Sequence, residues 1–162
     1  AQGEIVAPAN YNSPGQVVIS GATDALERAI VLAKEKGAKR AAKLPVSVPC
    51  HCDLLKPAGD ALAQEMNSIV FHEPSIPIMQ NVNACLAENI ESLKVNLLTH
   101  LYSPVLWSQS ITQLVKHDAR IFIECGPGKV LSGLNKRIDK SVKSFNMNDL
   151  ESMRIILSEL EA

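Results

Sequence analysis

The sequence predicts an α/β fold, because short β-rich runs alternate with amphipathic segments of helical period along the whole chain. Hydrophobic residues make up 46% of the 162 positions and charged residues 20%, a balance that supports a packed core and argues against disorder. The predicted strands are residues 16–20, 41–48, 76–82, 120–125 and 142–146, and the predicted helices are residues 23–36, 57–67, 88–102, 104–115, 129–138 and 150–160. So few strands would form a thin parallel sheet. Since such sheets need both faces covered, both halves of the chain resemble pieces that need partners.

Two strands and a helix form the first predicted unit. The β-rich run 16–20 follows residues 10–15, which are dense in turn formers. Thr23 or Asp24 is expected to cap the next helix, and Gly37 to end it. The apolar positions of this helix recur at helical spacing: Leu26, Ala29, Ile30 and Ala33. Residues 41–48 then complete a βαβ-like unit.

Prolines and glycines divide the second half of the chain. Pro57 suits a first helical turn, Pro74 and Pro77 bracket a loop, and Pro104 starts a new helix. The helix 88–102 has its apolar side on Ile90, Leu93, Leu97, Leu98 and Leu101. Gly-Pro-Gly at 126–128 follows a buried-looking strand and lacks the G-x-x-x-x-G-K-[ST] pattern of a phosphate loop, so it predicts a tight strand-to-helix turn.

The net charge of −1 argues against a nucleic-acid-binding chain, whose footprint would be strongly basic. No apolar run approaches the roughly 20 residues of a membrane helix, and no secretory signal is visible at the start. We therefore expect no membrane partner and a cytoplasmic location. The first residue is Ala1 and not Met, which leads us to expect a processed chain or a fragment.

Four cysteines, Cys50, Cys52, Cys85 and Cys125, are expected to be reduced and mostly buried. Because Cys50 and Cys52 flank His51, a metal site is the alternative. Structural zinc sites add a second closely spaced pair of ligands, which is missing here, and on a strand end the two cysteines would point away from His51. We therefore expect no metal.

His51 is the first candidate for chemistry. It follows a predicted strand and a proline, where an imidazole can stand at a sheet edge and act as a base near neutral pH. The alternative is a structural histidine that is solvated or hydrogen-bonded. The Gly-x-Ser-x-Gly elbow that would supply a serine for such a base is absent, since Ser20-Gly21 and Ser132-Gly133 lack the leading glycine.

Four motifs follow one another along nearly the whole chain. They are Asn-Tyr-Asn-Ser-Pro-Gly-Gln (10–16), Leu-Pro-Val-Ser-Val-Pro-Cys-His-Cys (44–52), Leu-Tyr-Ser-Pro-Val-Leu-Trp (101–107) and Glu-Cys-Gly-Pro-Gly-Lys-Val-Leu (124–131). Together they resemble the malonyl-CoA:acyl carrier protein transacylases of bacterial fatty acid synthesis. Because the serine elbow of that family is missing, the resemblance is to its C-terminal half only.

The resemblance implies a fold and a reaction. Residues 1–55 would be the C-terminal part of a ferredoxin-like small subdomain, and residues 56–162 the C-terminal part of an α/β-hydrolase-like large subdomain. A serine of the missing N-terminal half would take malonyl from malonyl-CoA and pass it to the phosphopantetheine thiol of acyl carrier protein. His51 matches the catalytic histidine of the family, which accepts and returns the serine proton. No cofactor is implied beyond the coenzyme A thioester, and this chain alone should be inactive.

The resemblance also implies supporting residues. Asn10 and Asn12 match asparagines that line the acyl pocket, and Cys50 takes the small-residue position before the histidine. The main-chain carbonyl of His100, at a position that is usually glutamine, would orient the catalytic histidine, and Asn81 would brace the site. Asparagine side chains at a turn can also hydrogen-bond to the neighbouring backbone, so a structural role for Asn12 in the turn stays open. For the His100 side chain we favour the interpretation as a plain helix residue.

Other functions remain open. The acyl group could differ, because the arginine that selects malonyl in the family lies outside this segment. A non-catalytic module that binds an acidic carrier protein, or a truncated piece with no role as a free chain, are further alternatives. Two basic stretches could steer carrier docking, although such runs are usually solvated faces: Lys34, Lys36, Lys39, Arg40 and Lys43, and Lys129, Lys136, Arg137, Lys140 and Lys143.

Overall fold

The computed structural model describes residues 3–161, and its architecture is α/β as predicted. The strands are β1 (Val6–Ser13), β2 (Gln16–Gly21), β3 (Met79–Gln80), β4 (Cys85–Leu86), β5 (Ile121–Cys125) and β6 (Lys143–Met147). The helices are α1 (Thr23–Glu35), α2 (Lys56–Met66), α3 (Ile90–His100), α4 (Trp107–Lys116), α5 (Val130–Ile138) and α6 (Leu150–Glu161), and a 3-10 turn, Asp53–Leu55, precedes α2. The pairs β1–β2 and β3–β4 are antiparallel, and the pair β5–β6 is parallel.

The first sheet is a hairpin whose first strand the sequence does not predict. The expected turn over residues 10–15 is wrong for its first part, because Asn10 to Ser13 continue β1 and only Pro14 and Gly15 form the turn. Asparagine and proline are depleted in strands, so the local composition points away from β structure here. Pairing with β2 overrides that preference.

Helix α1 differs from its prediction at one end only. Ala22 is its N-cap and no side chain caps it, so the expected caps Thr23 and Asp24 are wrong. Gly37 follows the helix as predicted, with φ of 88°, and its N–H donates to the Lys34 carbonyl. A glycine in this left-handed conformation is the usual end of a helix.

The predicted strand over residues 41–48 is absent, so the first unit is a hairpin followed by a helix and not a βαβ unit. Leu44, Val46 and Val48 are between 52% and 64% exposed in this run. β-Branched residues form a strand only where another strand offers hydrogen-bond partners, and no residue of 41–48 pairs with β1 or β2. The run therefore passes along the surface to His51.

The packing of α2 against α3 fixes the segment that follows His51. Helix α3 begins with a capping box, in which Asn89 Oδ1 accepts the Ser92 N–H at 2.8 Å and Ser92 Oγ accepts the Asn89 N–H at 3.2 Å. At Gly59 in α2, an added Cβ would lie 2.9 Å from Tyr102 Cε1, just beyond the end of α3. This close approach needs glycine and brings the end of α3 near the 3-10 turn.

Strands β5 and β6 with the intervening α5 form the predicted parallel unit. Pairing runs in register from Ile121 with Lys143 to Cys125 with Met147. The expectation that β5 is buried is wrong, because Ile121 and Ile123 are 38% and 37% exposed. No element of the described part of the chain covers these side chains. The predicted strand 76–82 is likewise reduced to β3, which pairs only with the short β4.

The Glu124 carboxylate occupies the N-terminus of α5. Its Oε1 accepts the Leu131 N–H at 3.1 Å, its Oε2 accepts the Ser132 N–H at 2.8 Å, and the Ser132 hydroxyl lies 2.7 Å from Oε2. A negative side chain here satisfies helix N–H groups and matches the positive end of the helix dipole. Burial opposes ionisation, but the hydrogen bonds from Ser132, Leu131 and Val130 outweigh it and lower the pKa of Glu124. The helix end is thus filled by the protein itself, and the Gly-Pro-Gly turn has the structural role predicted for it.

The chain exposes more surface than a finished domain of its mass. Its accessible area is 10998 Å², whereas the usual scaling for 17.5 kDa gives about 7,900 Å². Large apolar side chains contribute, among them Val70, Ile76, Val130 and Leu150, each more than 70% exposed. Exposed apolar surface of this extent marks a contact surface for further polypeptide. Within residues 3–161, no helix combines the length and apolar character needed to cross a membrane.

Replacing Glu124 by Gln should destabilise the protein at pH 7 by about 1 kcal/mol, the usual effect of losing a helix cap. Because the folded pKa lies below the ordinary value of 4.5, the carboxylate stabilises the fold fully above that pH, and this contribution is lost as the pH falls through the folded pKa. The difference in Tm between wild type and variant should therefore shrink in acid. Thermal melts followed by circular dichroism between pH 7 and pH 3 measure it.

Glu73→Gln is the matched control for this variant, because Glu73 is exposed and lies in a coil segment. Its Tm should follow that of the wild type at every pH. Equal Tm values for wild type and Glu124→Gln at pH 7 would contradict the capping role.

Candidate active site

His51 lies at a bend between the surface run and the 3-10 turn, and not at a strand end. Its φ is 62°, in the left-handed region that residues other than glycine rarely adopt. The expectation that Cys50 and Cys52 share one face of a strand is therefore wrong. A left-handed residue costs roughly 1–2 kcal/mol, so such a conformation persists only where its surroundings fix it.

Two carbonyls at the end of α3 hold His51. The His51 N–H donates to the Leu101 carbonyl at 2.9 Å, and His51 Nδ1 lies 2.8 Å from the His100 carbonyl oxygen. Carbonyls in the last turn of a helix have no helical N–H to accept from, so they are free for this contact. Because a carbonyl can only accept, Nδ1 carries the proton and Nε2 keeps its lone pair. The geometry prepares His51 to act as a base at Nε2.

The orienting contact to His51 comes from the main chain and not from a side chain. In Ser-His-Asp triads a carboxylate orients the histidine and stabilises its charged form. Here the main-chain carbonyl of His100 is in the orienting position, which is the contact that the family resemblance implies.

The α3–α4 connection, which we define as residues 100–106, joins His51 to strand β1. The Val105 N–H donates to the Ala9 carbonyl at 2.8 Å, and the Tyr11 N–H donates to the Val105 carbonyl at 2.9 Å. These bonds form a parallel bridge between Val105 and Asn10. The connection therefore holds His51 at its start and the strand that carries Asn10 near its end.

Strand β1 presents Asn10 and Asn12 through irregular pairing. The register shifts between Pro8 and Asn10 and again between Tyr11 and Ser13, so Asn12 has no residue opposite it in β2. A bulge turns the side chain of its extra residue out of the normal alternation, and bulges are frequent beside active sites. Both asparagines are half-buried. In the described part of the chain, no hydrogen bond links the Asn12 side chain to the turn, so its alternative turn role has no support.

Asn81 is tied to the same connection. Its carbonyl accepts the Leu106 N–H at 2.8 Å, and its Oδ1 accepts from the Ser110 hydroxyl at 3.3 Å. Ser110 is only 2% exposed, and the sequence analysis missed it. The only hint in the sequence is that Ser110 precedes the buried Ile111 in α4. A serine in an amphipathic helix is usually exposed, so its type does not predict this burial.

The cysteines are less buried than expected. Cys52 is buried and its thiol donates to the Pro49 carbonyl at 3.3 Å, and Cys50 is half-buried. The prediction is wrong for Cys85 and Cys125, which are exposed because they lie on strands without a covering layer. Among residues 3–161, no three His, Cys, Asp or Glu side chains gather as a metal site would require.

No serine hydroxyl of the described chain is hydrogen-bonded to the His51 ring, whose hydrogen-bond partner is the His100 carbonyl. The Ser132 hydroxyl lies 2.7 Å from Glu124 Oε2 and 2.9 Å from the Phe145 carbonyl, so it has a structural role. The described chain thus brings together an oriented imidazole at His51, two half-buried asparagines and the hydrogen-bonded amide of Asn81.

Residues 2–156 match the family profile described as an acyl transferase domain, and the chain belongs to that family. The malonyl CoA-acyl carrier protein transacylase of Escherichia coli (strain K12) is 44% identical over 157 residues, which cover 97% of this chain and 51% of that protein. The protein of the same name from Bacillus subtilis (strain 168) is 40% identical over 160 residues, which cover 99% and 50%. The chain therefore spans about half the length of the curated relatives it matches.

Solved structures agree with these matches. A crystal structure of an acyl carrier protein S-malonyltransferase from Vibrio cholerae superposes with a TM-score of 0.93 and 50% identity, covering 96% of this chain and 51% of that one. A type II PKS acyl-carrier protein in complex with its malonyl-transacylase gives a TM-score of 0.96 and 43% identity, covering 98% and 52%. The resemblance drawn from the four motifs is confirmed, including its restriction to half of each relative.

Replacing Val105 by Pro should detach the α3–α4 connection from β1. Proline lacks the N–H that Val105 donates to the Ala9 carbonyl. We expect a loss of about 1–3 kcal/mol in the free energy of unfolding, measured by urea denaturation. Amide hydrogen exchange at Tyr11 should also accelerate, because its acceptor is the Val105 carbonyl.

Val105→Ala is the control, since it keeps the N–H and removes only methyl groups. It should leave the Tyr11 amide protected. Equal exchange at Tyr11 in the two variants would contradict the role given to this backbone bridge.

Proposed function

We propose that this chain supplies the base of an acyl transfer in which malonyl passes from coenzyme A to the phosphopantetheine thiol of acyl carrier protein. The observation that carries the proposal is the 2.8 Å contact between His51 Nδ1 and the His100 carbonyl, which leaves Nε2 as a proton acceptor. The substrates come from the names of the relatives, which are malonyl CoA-acyl carrier protein transacylases.

The reaction has two halves that use His51 in the same way. First, a serine hydroxyl from the N-terminal half of the enzyme attacks the thioester carbon while Nε2 takes its proton. The carbon–sulfur bond breaks, coenzyme A leaves as a thiol with the proton from the imidazolium, and malonyl remains as a serine ester. Then the pantetheine thiol gives its proton to Nε2 and attacks the ester, and the serine recovers that proton.

The supporting residues are assigned by the same proposal. Asn10 and Asn12 line the acyl pocket, and Cys50 leaves room beside the histidine because its side chain is small. Asn81 braces the site through Ser110 and the α3–α4 connection. We assign residues 1–55 to a ferredoxin-like subdomain and residues 56–162 to an α/β-hydrolase-like one. The separation of the β1–β2 hairpin from the parallel β5–β6 pair supports this division.

The nucleophilic serine belongs, in this proposal, to the N-terminal half that completes the relatives. The accessible surface exceeds the expected area by about 3,000 Å². An interface that covered it would bury about twice that area over both partners, at the upper end of what permanent interfaces bury, roughly 2,000–5,000 Å² or more. Exposed apolar residues lie both on the run leading to His51 and on β5.

The reaction uses the coenzyme A thioester as substrate and needs no further cofactor. The free thiols suit a reducing cytoplasm.

Intact-mass measurement with malonyl-CoA tests the proposal. The chain alone should gain no malonyl adduct, and a mixture with the complementary N-terminal half should gain one on the serine of that half. His51→Asn should slow adduct formation in the mixture by a factor on the order of 10²–10⁴, because the proton acceptor is lost. His72→Asn, at an exposed histidine in a coil segment, is the matched control and should react like the wild type.

Two outcomes would contradict the mechanism. An adduct on this chain alone would show that it contains its own nucleophile. A complex of the two halves that His51→Asn leaves fully active would remove His51 from the reaction. Competition between methylmalonyl-CoA and malonyl-CoA in the same assay identifies the preferred acyl group.

A second candidate function is carrier binding without catalysis. The basic stretch at the end of α1 and just after it supports this function, because Lys34, Lys36, Lys39 and Arg40 are exposed and form no ion pair within the described residues. Lys43 differs, since it lies 3.6 Å from Glu27. A relative of known structure forms a complex with an acyl-carrier protein. Acidic carriers would be steered to such a cluster.

Two triple variants that remove the same amount of positive charge distinguish a specific docking site from non-specific electrostatic attraction of the carrier protein. The first is Lys34→Gln, Lys36→Gln and Lys39→Gln, and the second is Lys129→Gln, Lys136→Gln and Lys140→Gln. If one stretch docks the carrier, one variant should weaken carrier binding about tenfold or more at low salt, and the other should act mainly on the association rate. Binding should also weaken as salt rises. Equal affinity in both variants and the wild type would exclude both stretches as docking sites.

A further inference from the structure

His100 contacts His51 with two different groups. Its carbonyl accepts the Nδ1 proton, and its imidazole lies against the His51 imidazole with ring centroids 4.9 Å apart and planes inclined by 39°. Any residue at position 100 would provide the main-chain carbonyl, whereas only a residue with an aromatic ring can make the ring contact to His51. The sequence interpretation of the His100 side chain as a plain helix residue therefore leaves this ring contact without an explanation.

The other side of the His100 ring is uncharged. It borders a cavity of about 160 Å³ whose remaining lining residues are Met79, Gln80, Asn81, Val82, Asn96 and Leu97. The Nε2 atom of His100 is buried and has no hydrogen-bond partner among residues 3–161. A neutral ring is tolerated in such surroundings far better than a cation, because an unpaired buried charge is costly.

We propose that the His100 imidazole is a positioning residue for His51, which stays neutral itself and holds the His51 ring in the orientation of the carbonyl contact. The meaning of this role for catalysis rests on the proposed function of His51. The contact itself is a property of this chain. His51 lies outside every strand, and the contacts of its ring are with the carbonyl and the ring of His100 at the end of α3.

The charges around the pair favour this division of roles. Burial, and after it the neighbouring His51, lower the pKa of His100. The cavity side carries no titratable group apart from His100 itself. The charged residues on α3, on the adjoining 3-10 turn and on α2 are either paired with one another or exposed. Glu91 pairs with Lys94 and Asp53 pairs with Lys56, whereas Asp60 and Glu65 are exposed. Two imidazolium rings at this separation would repel, so the pair favours a single proton.

Nitrogen-15 NMR of the histidine rings in the whole chain tests the proposal. The wild type should show His51 as one tautomer, protonated at Nδ1. His100→Ala keeps the carbonyl and removes the ring, so the His51 nitrogen shifts should move toward the average of the two tautomers. His100→Phe restores a ring without a titrating group and should return the shifts toward those of the wild type.

A titration supplies the second readout. His51→Phe keeps a ring beside His100 but removes its charge, so the titration midpoint of His100 should rise, whereas the exposed control His117→Phe should leave it unchanged. Unchanged His51 shifts in His100→Ala, no recovery in His100→Phe, or an unmoved His100 midpoint in His51→Phe would each overturn the proposal. None of these readouts needs acyl transfer. Failure of the proposed function would instead appear as a missing malonyl adduct with these NMR results intact.

Discussion

The two hydrogen bonds from His51 to the end of α3 are the contacts on which the rest of the site depends. They tie an exposed run without strand partners to a packed helix and hold a backbone conformation that is unfavourable for any residue except glycine. They also decide chemistry, because the carbonyl fixes which ring nitrogen carries the proton. A helix end, whose last carbonyls must find partners in any case, thus orients the imidazole of His51.

The α3–α4 connection extends this arrangement to the remaining site residues. Backbone hydrogen bonds link it to β1 at Val105 and to Asn81 at Leu106, so the position of the asparagines relative to His51 is set by main-chain geometry. Main-chain contacts survive most side-chain substitutions. That tolerance is consistent with histidine standing at position 100, where its ring adds a contact that the carbonyl alone does not provide.

Two features of the described chain, an uncovered sheet face and a histidine without a serine partner, leave room for further polypeptide. A parallel pair of strands needs both faces covered, yet β5 leaves one face open and large apolar side chains remain exposed across the surface. A histidine base needs a nucleophile, yet no serine of the described chain is hydrogen-bonded to it. Both deficits fit a chain that matches about half the length of its relatives and lacks the elbow in which a serine nucleophile is usually placed.

The sequence by itself determined the features that depend on neighbours a few residues apart. Helical spacing located the helices, Gly37 located the end of α1, and the four motifs identified the family and the histidine segment. Tertiary structure decided what depends on distant partners. β1 became a strand because β2 and Val105 pair with it, and residues 41–48 did not because no strand among residues 3–161 pairs with them. The packing of the two histidine rings, the Ser110 contact and the cap from Glu124 belong to the same class. Propensity and spacing act within one element, whereas hydrogen bonds and ring contacts between elements exist only once the chain has folded.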